Sequence, residues 1–181
     1  MSTLVSFRKV HKTIGVIVGI WLIVVASTGL MLGWKKTVGN PLQAPTEKGI
    51  SSDLNDWLPL GDLKFKADSM LKSQFSDAKP ESFKIDIRSK TEVVKFIYTK
   101  DFKEVQVDGQ SGKILALNHR NSDWIEKLHE GAIFDIWAGK GSFFKHFFVT
   151  LGGIGIITLA ISGFWLYLGP KLIRRRRRKT T

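Results

Sequence analysis

Two long stretches without a single charge interrupt an otherwise polar chain. Twenty residues from Ile14 to Gly33 (IGVIVGIWLIVVASTGLMLG) and twenty-two from Phe147 to Leu168 (FFVTLGGIGIITLAISGFWLYL) contain no Asp, Glu, Lys or Arg. A bilayer core about 30 Å thick needs roughly 20 helical residues at about 1.5 Å each, so both stretches predict membrane-spanning helices, placed at 14–34 and 146–169. The first begins after Arg8, Lys9 and Lys12, as a signal peptide would. Its apolar run exceeds the usual h-region of about 7–15 residues, and no A-x-A site follows before Trp34, so it predicts a retained anchor.

Between the spans the period changes. Residues 35–56 are rich in Pro, Gly and polar side chains and predict a connector. From Leu60 to Phe75 the apolar positions Leu63, Phe65, Ala67, Met70, Leu71 and Phe75 approximate a helical stripe, which Lys79-Pro80 ends. Alternating or β-branched runs then predict strands at Ser82–Arg88, Glu92–Thr99, Lys103–Val107 and Lys113–Asn118, with a turn at Asp108-Gly109 and Ser111-Gly112. One helix and a four-stranded antiparallel sheet make a two-layer α+β domain over 57–120. Residues 121–145 predict an outer helix or re-entrant segment. The fold class is thus membrane α-helical, with two transmembrane helices flanking a small α+β domain.

The net charge of +12 suggests nucleic acid until it is located. Residues 1–12 carry three basic groups and Lys171 to Lys179 seven, whereas all sixteen acidic residues lie between Glu47 and Asp135. Basic residues flanking spans collect on the cytoplasmic side, and a polybasic run beside a span favours anionic lipid. The partner so implied is the lipid bilayer and not nucleic acid. Residues 1–13 and the tail 170–181 are expected inside, with 35–145 extracytoplasmic. The chain has no cysteine, which excludes disulfides, thiolate metal sites and c-type haem attachment. No G-x-S-x-G, H-E-x-x-H or phosphate-binding glycine loop occurs, and the acidic residues of the α+β domain are scattered as on a solvated face.

Three stretches resemble the PepSY-associated transmembrane family. Arg8-Lys9-Val10-His11-Lys12-Thr13-Ile14-Gly15, with Ser27-Thr28-Gly29 further along the span, is similar to its opening pattern. Val107-Asp108-Gly109-Gln110-Ser111-Gly112-Lys113-Ile114 is similar to the strand–turn–strand signature of PepSY domains. Leu128-His129-Glu130-Gly131, then Ile161-Ser162-Gly163 and the basic tail, resembles the closing pattern. The resemblance covers most of the chain. It implies a PepSY-like α+β domain and a haem-bearing reductase of the bacterial inner membrane that passes electrons to acceptors such as ferric siderophores. Relatives generally have four or more spans. With two here, a complete pathway calls for a homodimer or another membrane redox subunit.

The histidines are His11, His119, His129 and His146. Neutral imidazole is a haem axial ligand, and a helical bundle is a common place to hold one. At about 100° per residue, Gly15, Gly19, Ala26, Gly29 and Gly33 fall within about 80° of His11 on the first span, and Gly153 and Ala160 share the face of His146 on the second. Such stripes make room for a macrocycle or for another helix. The candidate cofactor-binding residues are therefore His11, His129, His146, Gly15, Gly19 and Gly153, with the three histidines as ligands of a haem b iron. Each has a plain alternative: His11 and His146 as membrane-edge residues beside Lys12 and Lys145, His129 as a satisfied polar contact. His119 is expected to be structural.

His11 and His146 lie at opposite ends of their spans, about 30 Å apart, whereas axial nitrogens on one iron stand only about 4 Å apart. An outer haem is expected to use His129 and His146, and an inner one His11 with its twin across a dimer axis. The leading function is haem-binding electron transfer within a ferric-siderophore or respiratory reductase. A non-redox interaction module that binds an extracytoplasmic partner is the alternative. A transporter role has little support, since neither span contains an ionisable carboxylate or cation.

Overall fold

The structure is a computed structural model that describes residues 2–139 and 141–179. The side chains of the basic run beyond Leu172, and Thr180 and Thr181, on which part of the expected cytoplasmic tail rests, lie outside the described residues. The order of elements is α1 (Ser2–Val38), α2 (Leu60–Gln74), β1 (Phe83–Arg88), β2 (Val93–Tyr98), β3 (Lys103–Asp108), β4 (Ile114–His119), α3 (Asn121–His129), α4 (Ile133–Ala138) and α5 (Phe143–Lys179), with single 3-10 turns at Leu54–Asp56 and Ser89–Thr91. The chain divides into a helical unit of Met1–Gly29 with Leu128–Thr181 and an α+β unit of Leu30–Lys127.

In the α+β unit the four strands form an antiparallel sheet in the order β1-β2-β3-β4. Alternation puts Val94, Phe96, Tyr98, Val105 and Val107 on one face, where Leu63, Ala67 and Leu71 of α2 meet them as an i, i+4, i+8 stripe; all are fully buried. The predicted helix and strands stand within a residue or so of their expected ends. Tyr98 Oη donates to Asp68 Oδ1 at 2.7 Å; burial, then that carboxylate, pushes the phenol above its ordinary range. Gly112 closes the β3–β4 turn at φ +67°, and a Cβ there would press on Leu58 and Lys66.

The other face of the sheet corrects the expectation of a solvated acidic surface. The connector runs across it: Glu47 N donates to Gln106 Oε1 at 2.8 Å, Gln106 Nε2 to Pro45 O at 2.9 Å, and Ile50 N to Asp108 Oδ1 at 2.8 Å. Lys95, Glu104, Gln106 and Asp108 are consequently buried. Lys95 pairs with Glu104 at 3.1 Å, and Arg120 bridges Glu104 and Asp123. Polar side chains at inward positions of β2 and β3 are tolerated because each finds a partner there. Burial pulls the Asp108 carboxyl upward, but hydrogen bonds from Ser111 Oγ (2.5 Å), Ser111 N (2.7 Å) and Ile50 N outweigh it and hold the group below the usual carboxylate value.

In the helical unit α1 and α5 are long and apolar enough to cross a membrane, over Val5–Val38 and Phe143–Leu172. Only 11% and 6% of their most apolar windows are buried within the chain, unlike the core helices of a soluble protein. Between His11 and Gly29 the covered positions of α1 are His11, Ile14, Gly15, Val18, Gly19, Trp21, Val25, Thr28 and Gly29, one face of the helix recurring every three to four residues. On α5 the facing positions are Phe148, Gly152, Gly155 and Leu159: a Cβ on Gly152 would occupy the Trp21 indole, one on Gly155 would stand 2.6 Å from Val18, and Leu159 touches Gly15. Small residues let the two backbones approach. The segment 121–145 resolves into α3 and α4, separated at Gly131 (φ +72°), before α5 begins at Phe143. Asp135, 5% exposed, accepts from Phe144 N (2.7 Å) and Lys145 N (2.8 Å), satisfying free amides at the start of α5.

Candidate functional site

Two histidines of the helical unit sit in matching seats. His11, on α1, places Nδ1 2.6 Å from Ser162 Oγ on α5, with its Cε1 against Gly163 (3.5 Å from where a Cβ would stand). His129, the last residue of α3, places Nδ1 2.9 Å from Thr28 Oγ1 on α1, with its Cε1 against Gly29 (3.3 Å by the same measure). In each seat a hydroxyl residue followed by glycine receives an imidazole: the hydroxyl supplies the hydrogen bond, and the missing side chain supplies the space.

The hydroxyls fix which ring nitrogen carries the proton. Thr28 Oγ1 lies 2.7 Å from Val24 O, and Ser162 Oγ lies 2.6 Å from Thr158 O. A carbonyl has no hydrogen to give, so each hydroxyl proton is directed to its own helix. The histidine then donates from Nδ1, and in the neutral ring the lone pair is on Nε2. Metal-ligating histidines are oriented in this way, with one nitrogen donating to a fixed acceptor and the other on the metal. The residues present therefore suit an imidazole ligand of haem iron at each seat. Along α1, Thr28 lies seventeen residues from His11, about 25 Å at 1.5 Å per residue, so the seats serve two separate levels.

His146 is placed differently. It stands in the first turn of α5, exposed, with Nδ1 2.6 Å from Ser142 O, so that Nε2 is again the free nitrogen. At about 100° per residue it lies roughly 160–240° around α5 from Phe148, Gly152, Gly155, Leu159 and Ser162. The expected pair of His129 and His146 on one iron is thus not formed within a chain: His129 docks on α1, and His146 faces away from α1. Gly153, on the face of His146, has nothing within 4 Å of a would-be Cβ, and neither has Gly19; Gly15 packs on Leu159. The tight approach falls to Gly152 and Gly155, one residue before and two after Gly153. His119 ends β4 and meets the Phe75 ring edge-on at 6.2 Å, a packing contact. Among the described residues no group of three or more His, Asp or Glu is arranged to hold a metal ion by itself.

The hydroxyl–glycine pairs Thr28-Gly29 and Ser162-Gly163 were visible in the sequence only as parts of a family pattern. Their signal was the recurrence, on both spans, of a hydroxyl residue followed by glycine.

The α+β unit holds a cleft of ≈ 520 Å³ lined by Lys35, Lys36, Arg88, Lys95 and Arg120, together with Asp86 and the connector residues around Gln43. Lys95 and Arg120 are matched by Glu104 and Asp123, and Arg88 by Asp86. Burial works against the Arg120 charge, but Asp123 and Glu104 outweigh it and raise its pKa further. Lys35 and Lys36 have no ion pair among the described residues, so the cleft keeps a surplus of positive charge.

A family model described as PepSY-associated TM region matches residues 3–169. No curated protein and no solved structure matches the chain.

Proposed function

The chain belongs to the PepSY-associated TM family, and from that premise we propose that it is a haem b-binding electron-transfer protein of the bacterial inner membrane. The observation that carries this reading is the pair of seats in which His11 and His129 are held by Nδ1 and keep Nε2 free. Haem, when bound, supplies one-electron exchange between ferric and ferrous iron. The chain's residues supply the ligands and their orientation. Ser162 and Thr28 fix the ring tautomers, while Gly163 and Gly29 let the rings lie against a helix backbone.

One chain offers one imidazole at each level, so the reading is completed by a homodimer. His11 of both copies would hold an inner haem; His129 of one copy and His146 of the other, whose face with Gly153 is turned from α1, would hold an outer one. Both termini lie in the cytoplasm and 35–145 outside. Trp137, Phe143 and Phe147 are exposed beside the start of α5 and Trp165 and Tyr167 near the other end of its apolar run, as aromatic residues sit at the two membrane–water interfaces. The basic cleft of the α+β unit suits a negatively charged acceptor such as a ferric siderophore, as in a metal-chelate reductase.

The same contacts favour one other reading. Each histidine closes a hydrogen bond between helices, which suffices to pack a membrane anchor for a non-redox binding domain. The absorption spectrum of detergent-purified protein, expressed with haem supplementation and recorded before and after dithionite, separates the two. Haem binding gives a Soret band that shifts and α bands that sharpen on reduction; a featureless visible region refutes it.

A further inference from the structure

Strand β1 is an edge of the sheet: among the described residues it pairs with β2 on one side and with no strand on the other. Its register sets Phe83, Ile85 and Ile87 opposite Tyr98, Phe96 and Val94, on the face that α2 covers. The helix packs on β2, β3 and β4, so the apolar stripe of β1 is left 38%, 42% and 47% exposed, with only Lys64 reaching over the Phe83 ring at 4.1 Å. The strand has no proline, glycine or bulge, and what guards its edge is charge alone, so a partner strand must answer those charges. Its alternate positions are Lys84, Asp86 and Arg88, charges of mixed sign.

Charge order selects an occupant. If a second β1 lies antiparallel across a two-fold axis, the register is a single number, the residue that faces itself. Centred on Ile85, the pairing sets Phe83 against Ile87, Ile85 against Ile85 and Lys84 against Asp86. Apolar then meets apolar on one face, and opposite charges meet on the other. Centring on Lys84 or on Asp86 sets like charges against themselves, and any centre between residues sets a charge against an apolar side chain. Centring on Ile87 leaves Phe83 beyond the partner strand. The full-length register is self-complementary in sign and in hydrophobicity, as an isologous contact requires.

We propose that two copies of this chain join through their β1 edges in the register centred on Ile85, making one continuous eight-stranded antiparallel sheet. The interface rests on the sheet alone and is independent of haem, so it stands or falls separately from the redox reading. The absence of cysteine from the chain makes the test clean.

Full-length Ile85→Cys, in membranes and without haem supplementation, is treated with a mild oxidant or a short bismaleimide. It should form a covalent homodimer, whereas Phe65→Cys, on the exposed side of α2, should not. Adding Lys84→Glu should lower the yield about tenfold, since two symmetry-related pairs change from attraction to repulsion. Because Asp86 also pairs with Arg88 of its own strand at 2.7 Å, the exchange takes all three charges: Lys84→Glu with Asp86→Lys and Arg88→Glu keeps that pair in reverse, should restore the yield and shows that the variants fold. Equal cross-linking at both positions, no dimer from Ile85→Cys, capture of a different polypeptide, or failure of the charge exchange to restore the yield would each overturn the proposal.

Discussion

In the α+β unit the buried polar groups satisfy one another: Lys95 meets Glu104, Gln106 meets the connector at Pro45 and Glu47, and Asp108 takes three hydrogen bonds. In the helical unit His11 and His129 are satisfied at Nδ1 and keep Nε2 unassigned. The difference separates two uses of a buried polar group. A closed network holds the connector and the root of α3 to the sheet and has nothing left to offer. A ring fixed at one nitrogen holds its other nitrogen in a defined direction.

Several substitutions break or sharpen that contrast. The largest effect is expected from Glu104→Ala, which leaves Lys95, 4% exposed at its side chain, without its partner charge. Breaking a buried pair in this way costs about 3–5 kcal/mol, and limited proteolysis should show the α+β unit opening at lower temperature. Gly152→Leu attacks the other unit: the new side chain must displace the Trp21 indole, at about 1–3 kcal/mol for overpacking. It should lower thermal stability in detergent and diminish any signal from a haem held by His11, because that seat is formed where α1 meets α5. Thr28→Val removes only the acceptor of the His129 proton and should cost near 0.6 kcal/mol, an average value for such bonds in membranes. On the redox reading it should nevertheless shift the midpoint potential of the outer haem and leave the inner one unchanged, whereas a packing role would move neither.

The smallest expected effect concerns acid stability. The carboxyl of Asp108 is held below its usual 3.8, so the stability it contributes is present above that pH and is lost as pH falls through the lowered folded value. Asp108→Asn should flatten the decline in unfolding midpoint below about pH 4 and leave a uniformly weaker turn at neutral pH.

The architecture was legible wherever one residue pattern had one physical solution. Charge-free runs of twenty and twenty-two residues admit little but long apolar helices, and the alternation of Phe83, Ile85 and Ile87 or of Val105 and Val107 fixes strands and their faces. The second face of the sheet was not legible. Lys95, Glu104 and Gln106 read as solvent-facing because alternation assigns polar residues outward, and only the return of the connector from Pro45 to Ile50 buries them. The histidines were found by residue type, but their seats were not. Of the stripe through His11, Gly15 and Gly29 meet other helices while Gly19 and Gly33 meet nothing within 4 Å, and periodicity on one helix cannot say that α5 answers with Gly152 and Gly155 and turns Gly153 away. Thr28 and Ser162 went without a role because a hydroxyl in a span commonly bonds its own i−4 carbonyl, as both do; the second bond, to histidine, comes from tertiary packing.

The most direct measurement is the reduced-minus-oxidised spectrum, with haem content per chain, of His11→Ala and His129→Ala beside the unaltered protein. Each variant should lose one of two distinct haem components and retain the other, since the seats lie about 25 Å apart along α1. Full haem content in both variants would contradict the assignment of these two rings as ligands.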